Sequence, residues 1–219
     1  MPRLLFEKVG RSVWISHLDL MRLFQRAFKR AGLKLKHTQG FNPRPSVSIA
    51  LPLSVGVESE CELLDFDLEG ESMSNEQICN LLNEALVEGV KVKSVYDGGK
   101  KIGALSLLQC QIIMEYNNNI PEDAHEQIQT LFTKENLVLP KKTKSGMQEQ
   151  DIIPMIKRIS TRAVNQHTIV MDALICCQNP TLNPAQLTLA VETFLPALCP
   201  DLVKCRRMEI YDINETVFR

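Results

Sequence analysis

One short segment, residues 37–45, brings several interacting side-chain types together, since its sequence reads His-Thr-Gln-Gly-Phe-Asn-Pro-Arg-Pro. The ring of Phe41 offers a face on which an unpaired base stacks, and the guanidinium of Arg44 suits a phosphate. The amides of Gln39 and Asn42 suit base edges. This mixture is typical of single-stranded RNA binding. The same residues also fit a structural role, in which Phe41 plugs the core and Asn42 initiates a turn.

The chain around this segment is strongly basic. The first fifty residues contain ten Lys or Arg and two acids, a local net charge of +8, although the whole chain has a formal net charge of −1. Residues 51–90 contain ten acids and no base. Such a separation focuses an electrostatic field that attracts a polyanion, although a solvated helix face has the same pattern. The candidate RNA-binding residues are Arg22, Arg26, Lys29, Arg30, Lys34, Lys36, His37, Gln39, Phe41, Asn42 and Arg44.

A helix is predicted over residues 17–31, where it would carry many of these cations. Ser16 and Asp19 have the Ser-x-x-Asp spacing that caps a helix N-terminus, and Gly32 follows the predicted end. One face is apolar by 3.6-residue periodicity, with Arg22, Arg26, Lys29 and Arg30 on the opposite face. The apolar face consists of Leu20, Phe24, Ala27, Phe28 and Ala31.

Alternating and helical patterns predict an α+β fold made of tandem ferredoxin-like (β-α-β-β-α-β) units. The two predicted domains are residues 1–99, which carry the basic helix and loop, and residues 107–219. In the first, strands are predicted at 3–9, 46–53, 64–68 and 90–96, and helices at 17–31 and 74–87. In the second, strands are predicted at 108–116, 137–142, 153–159, 168–177 and 202–211, and helices at 122–132 and 184–195. The second domain has one strand more than the scheme needs, with the Lys141–Lys144 turn predicted as a hairpin tip.

Most familiar catalytic and cofactor motifs are missing from the sequence. It has no GxGxxG or GxxxxGK[ST] phosphate loop and no HExxH, and its seven cysteines include no CxxC or CxxxCxxC. No metal or cofactor is therefore predicted, and the cysteines are expected to be reduced thiols. No stretch approaches the roughly 18 apolar residues of a membrane span, and charge begins too early for a secretory signal. We expect a cytoplasmic protein with no membrane contact.

Essentially the whole chain resembles the radical-SAM-associated domain of unknown function, a bacterial family, and the most specific part of the match is residues 12–60. In that family the domain is fused to the C-terminus of a cobalamin-binding-type radical SAM protein or encoded beside one. The resemblance therefore implies a radical SAM partner, but no established activity. The segments that carry it are Ser16–Arg22, Gln25–Ala27, Arg30–Leu33, Gln39–Pro45 and Ala50–Ser59.

Three functional hypotheses remain open. The first is a non-catalytic RNA-binding partner that presents substrate to a radical SAM enzyme. The second is a protein-interaction subunit that docks such an enzyme without nucleic acid, through its basic head and an acidic belt. The third is a metal-independent endoribonuclease using His17 or His37 as general acid or base, because the tandem plan resembles that of CRISPR repeat-processing endoribonucleases. The acidic belt consists of Glu58, Glu60, Glu62, Asp65, Asp67, Glu69 and Glu71.

Overall fold

A computed structural model of the chain describes residues 1–70, 73–143 and 146–219. The chain divides into two compact units, of which the first comprises residues 1–102 with Arg219 and the second residues 103–218. Glu71 of the predicted acidic belt and Lys144 of the predicted lysine turn lie outside the described residues.

The first unit is a four-stranded antiparallel sheet with two helices. The strand order is β4-β1-β3-β2, and each neighbouring pair is antiparallel. The elements are β1 (Arg3–Lys8), α1 (His17–Arg30), β2 (Val47–Ile49), β3 (Glu58–Phe66), α2 (Asn75–Ala85) and β4 (Val90–Tyr96). Both predicted helices and the first and last strands agree with these bounds within about two residues.

The two middle strands differ from the prediction. β2 covers only three of the eight predicted residues, and Pro52, which has no N–H to donate to a ladder, lies in the part that is not a strand. β3 starts at Glu58 rather than near Leu64. Residues 61–64 are all buried, so its central part shows no alternation of polar and apolar residues. Period-two patterning therefore detected only the end of this strand.

Helix α1 packs on the sheet through aromatic side chains. The ring centroids of Phe24 and Phe6 lie 4.7 Å apart in an edge-to-face arrangement, and those of Phe28 and Phe66 lie 5.0 Å apart. All four rings are fully buried. Since Phe6 belongs to β1 and Phe66 to β3, the apolar face of α1 is held against two strands and its basic face is directed to solvent.

Two members of the predicted acidic belt do not face solvent. Glu62 is 1% exposed. Asp65 accepts hydrogen bonds from Nε and Nη2 of Arg3, the second at 3.0 Å, and Arg3 is itself 5% exposed. Hydrogen bonding to Asp65 raises the pKa of the Arg3 guanidinium. The belt is therefore not one continuous accessible surface, because part of it is occupied by contacts within the unit.

The second unit is also a four-stranded antiparallel sheet, with an additional hairpin. The sheet order is β10-β5-β9-β8, and β6 pairs with β7 in a separate two-stranded sheet. The elements are β5 (Leu105–Glu115), α3 (Ala124–Leu131), β6 (Val138–Thr143), β7 (Gly146–Asp151), β8 (Ile156–Asn165), β9 (Thr168–Cys176), α4 (Ala185–Phe194) and β10 (Leu202–Asp212).

The extra strand of the second unit belongs to this hairpin. The sequence predicts the lysine turn as a hairpin tip that joins two strands, and β6 and β7 do form a hairpin, with Val138 opposite Asp151 and Thr143 opposite Gly146. The strand predicted at 153–159 lies outside this hairpin and corresponds to β8. Residues 153–155 form a 3-10 helix before β8. The prediction missed β7 because its sequence, Gly-Met-Gln-Glu-Gln-Asp, is largely exposed and has no apolar alternation.

These elements confirm a mixed α and β protein, with four α-helices among the described residues. No helix in those residues is long and apolar enough to cross a membrane. The seven cysteines form no disulfide, and four of them are buried. Burial raises the pKa of the Cys177 and Cys205 thiols to about 11, so both are protonated at neutral pH.

Candidate nucleic-acid interface

The basic helix begins at a side-chain cap. The Asp19 amide donates to Ser16 Oγ at 3.2 Å, and Ser16 Oγ donates to Asp19 Oδ2 at 2.7 Å. Arg22 Nη1 donates to Asp19 Oδ1 at 3.0 Å. The Ser16 hydroxyl and then Arg22 lower the pKa of the Asp19 carboxyl. The charge of Arg22 is thus partly balanced within the first turns of α1.

All eleven predicted RNA-binding residues are exposed, but they do not form a single cluster. Arg22, Arg26 and Lys29 are spaced three or four residues apart and share one face of α1. Arg30 points elsewhere, because its Nη2 donates to the carbonyl oxygen of Ala85 at 2.7 Å. That carbonyl belongs to the last residue of α2, so Arg30 caps the C-terminus of the neighbouring helix.

The chain reverses sharply at the end of α1. The Gly32 amide donates to the Lys29 carbonyl at 3.2 Å, and the Leu33 amide donates to the Phe28 carbonyl at 2.9 Å. These two bonds define a Schellman motif, in which the residue after the cap has positive φ, and the φ of Gly32 is +72°. The turn places Lys34 beside the helix end instead of beyond it.

The segment after this turn extends the edge of the sheet. The Lys36 amide donates to the Asp67 carbonyl at 2.9 Å, and the Glu69 amide donates to the Lys34 carbonyl at 2.8 Å. Leu35 forms a bridge with Leu68 between them. The pairing brings Glu69, 35 positions further along the chain, next to the basic segment.

The predicted loop stands on a hydrogen-bonded stem. The Ser46 amide donates to the Lys36 carbonyl at 2.7 Å, and the Thr38 amide donates to the Arg44 carbonyl at 2.8 Å. The Arg44 amide in turn donates to Thr38 Oγ1 at 3.1 Å. The stem closes the two ends of the loop, so residues 39–43 form its tip.

The tip presents its side chains to solvent. Phe41 is fully exposed, and Gln39 and Asn42 are exposed on either side of it. Gly40 has a φ of +140°, a positive-φ backbone that glycine adopts without steric strain. The structural role in which Phe41 plugs the core is therefore wrong, because the ring contacts no core.

A cavity of about 560 Å³ lies between the end of α1 and the base of the loop. Three predicted residues line it, namely Lys29, Lys34 and His37, so the structure brings the helix and the loop together here. The remaining lining residues, which were not predicted from the sequence, are Gln25, Gly32, Leu33, Leu35, Pro45 and Glu69. Leu33 and Leu35 have the residue type expected of core positions. Nothing in the sequence indicated that Glu69 lies beside Lys34.

The two histidines of the nuclease hypothesis lie far apart. His17 is the first residue of α1, twelve positions before Lys29, which corresponds to about 18 Å along the helix axis. His37 lines the cavity that Lys29 also lines. Within the described residues, no group of three or more His, Cys, Asp or Glu side chains is placed to hold a metal ion.

Fold and surface together define a mixed α and β protein with a basic helix and an exposed aromatic loop on either side of a cavity. Residues 2–184 match the family DUF2344, described as an uncharacterized protein conserved in bacteria, and the chain belongs to this family. No match was found among curated proteins.

Two solved structures are similar in fold. The first is the crystal structure of a Cbf5–Nop10–Gar1 complex, with a TM-score of 0.50 and 9% identity over 95% of this chain and 48% of the matched chain. The second is an H/ACA RNP bound to a substrate RNA containing 2′-deoxyuridine, with a TM-score of 0.50 and 8% identity over 94% of this chain and 46% of that one. The chain thus spans about half the length of the chains it matches, and the similarity is one of fold.

Proposed function

We propose that this chain is a non-catalytic RNA-binding protein that presents RNA to a radical SAM enzyme. The observation that carries the proposal is the fully exposed ring of Phe41 at the tip of a hydrogen-bonded loop beside a basic helix. An exposed phenyl ring does not contribute the roughly 1.5–3 kcal/mol of stabilisation that its burial would give. A ring held there by a well-formed stem is suited to binding a flat apolar partner such as a base.

Nearby cations supply the contacts that phosphates need. Over residues 1–70, 73–143 and 146–219, the side chains of Lys29, Lys34 and Arg44 have no hydrogen bond or ion pair. Such unpaired cations bind phosphates without breaking existing contacts, and each phosphate neutralised releases counterions. Together with Arg26 and Lys36, these cations are sufficient for about four to six phosphate contacts.

The radical SAM partner in this proposal rests on the resemblance of residues 12–60 to the radical-SAM-associated family. A protein that holds RNA contributes to such a reaction by positioning the substrate, since orientation alone supplies a large part of many rate enhancements. The chain would act in the cytoplasm.

We also propose that the two units are tandem ferredoxin-like units, each with the β-α-β-β-α-β arrangement. In support of it, the two units have equivalent strand orders, β4-β1-β3-β2 and β10-β5-β9-β8, with antiparallel neighbours throughout. The β6–β7 hairpin is then an insertion between α3 and β8.

Substitutions in the loop and the helix should affect RNA binding differently. Phe41→Ala should weaken binding by about 1–3 kcal/mol without changing the salt dependence, because stacking releases no counterions. Arg26→Ala should reduce the slope of log K against log salt by about one unit. Filter binding at several salt concentrations measures both, with Phe41→Trp as the control that keeps a stacking ring. A Phe41→Ala protein that loses thermal stability but binds RNA normally would contradict the proposal.

A second candidate function, docking of a radical SAM enzyme without nucleic acid, is favoured by a different observation. Trp14 (73% exposed) and Leu18 (66%) lie near the start of α1 and are strongly exposed. Val55 (52% exposed) lies near them, because the amide of the next residue, Gly56, donates to the Val13 carbonyl at 3.0 Å. Exposed apolar side chains of this size are common in protein interfaces, where Trp often contributes most of the binding energy. This surface suits docking better than the acidic belt, part of which is buried.

Trp14→Ala separates the two candidates. If the chain docks an enzyme through this surface, the substitution should weaken co-purification with the radical SAM partner by about 2 kcal/mol or more, the loss typical of an interface hot spot. RNA binding should remain normal, because Trp14 lies outside the loop and the cavity. Leu202→Ala, which removes an exposed leucine from the second unit, is the matched control. Unchanged co-purification would exclude Trp14 as a docking residue.

The isolated chain should leave RNA chemically intact. The sequence contains no recognised catalytic motif, and His17 and His37 lie too far apart to act as an acid–base pair on one phosphate. The measurement is incubation of end-labelled RNA with the protein in EDTA, alone and with its radical SAM partner. Cleavage that His37→Ala or His17→Ala abolishes while binding persists would instead support the metal-independent endoribonuclease.

A further inference from the structure

We propose that the cavity between the end of α1 and the loop binds a single unpaired nucleotide, an inference that rests on the proposed RNA-binding function. The volume of about 560 Å³ lies within the range of roughly 300–1,000 Å³ that is usual for small-ligand sites. The nucleotide would be one that the bound RNA turns out of its stack, next to the base held by Phe41.

The wall of the cavity suits the flat face of a base. Leu33, Leu35 and Pro45 contribute apolar surface, and Gly32 adds no side chain. Leu33 is anchored by the Schellman turn and Leu35 by its bridge to Leu68, so this surface is formed before any ligand binds. A preformed apolar wall binds a base without the entropic cost of ordering side chains.

The polar groups are arranged around this wall. In the part of the chain that the structure describes, the side chains of Lys29, Lys34 and His37 have no hydrogen-bond or ion-pair partner. The two ammonium groups suit the phosphate of the nucleotide, and the imidazole suits the phosphate or the ribose. Lys29 comes from α1 and Lys34 from the segment after the turn, so the phosphate would be held from two sides.

Glu69 gives the cavity a means of distinguishing bases. The carboxylate of Glu69 only accepts hydrogen bonds, so it suits an exocyclic amino group such as N4 of cytosine and repels the O4 carbonyl of uracil. Cytidine monophosphate should therefore bind more tightly than uridine monophosphate, which differs from it at this position.

The test is a titration of the isotope-labelled protein with cytidine 5′-monophosphate, followed by amide chemical shifts. We expect saturable shifts at Gly32, Leu33 and Leu35 with a Kd on the order of 1 mM, and weaker or no shifts with inorganic phosphate or uridine monophosphate. Gln25→Trp fills the cavity without changing the charge and should weaken the interaction at least about tenfold. Gln25→Ala is the matched control and should retain it, and both variants should keep the salt dependence of RNA binding.

The outcomes separate this inference from the proposed function. If RNA binds but 10 mM cytidine monophosphate shifts none of these amides, the nucleotide site is overturned and the RNA-binding function stands. Equal shifts with inorganic phosphate would overturn the base-binding part, since the cavity would then recognise only an anion. If the nucleotide binds but RNA does not, the nucleotide site is supported and the proposed RNA-binding function is overturned.

Discussion

RNA should bind this protein about 60- to 1,000-fold more weakly at 200 mM salt than at 50 mM. The range follows from four to six phosphate contacts, for which log K falls with log salt at a slope of about −3 to −5. The exposed cations of α1 and of residues 34–44 supply these contacts, whereas Arg22 and Arg30 are partly engaged by Asp19 and by the Ala85 carbonyl.

Filter binding of single-stranded RNA across this range of salt concentrations measures the slope. Replacing Lys29 and Lys34 together by Gln should reduce its magnitude by about two units, because each unpaired lysine contributes about one. Lys91→Gln is the matched control, since Lys91 is exposed in β4, at the edge of the sheet opposite β2. No retention of RNA at 50 mM salt would remove the leading proposal.

The second large effect concerns the core that holds the basic helix. Phe24→Ala should lower the free energy of unfolding by about 3–5 kcal/mol, because it leaves a cavity where the ring packs edge-to-face on Phe6 at 4.7 Å. Phe24 is fully buried, and few rearrangements within α1 are able to fill the space.

Urea denaturation followed by circular dichroism measures this change. Leu18→Ala on the same helix is the matched control and should change the stability by no more than about 0.5 kcal/mol, since Leu18 is 66% exposed. A loss of less than about 1 kcal/mol in Phe24→Ala would show that α1 is held on the sheet by other contacts.

Local chemistry made much of the fold predictable. The Ser16 cap, the apolar stripe through Phe24 and the turn at Gly32 together predicted α1, because caps and helical periodicity depend only on nearby residues. β4 was predicted with its observed bounds because its alternating residues face core and solvent in turn. β7 and the first part of β3 were missed, β7 because it is largely exposed and β3 because its central residues, 61–64, are buried on both faces.

The basic and apolar faces of α1 and the position of the loop are predictable without the structure, since they depend only on residue types and short spacings. The exposure of Phe41, the capping of α2 by Arg30 and the position of Glu69 beside Lys34 are not predictable in this way and follow from the folded structure. Each of these depends on backbone pairing or packing between segments far apart in the chain. No local pattern encodes such contacts, because they form only when the hydrogen bonds of the sheet edge and the burial of α1 are satisfied together.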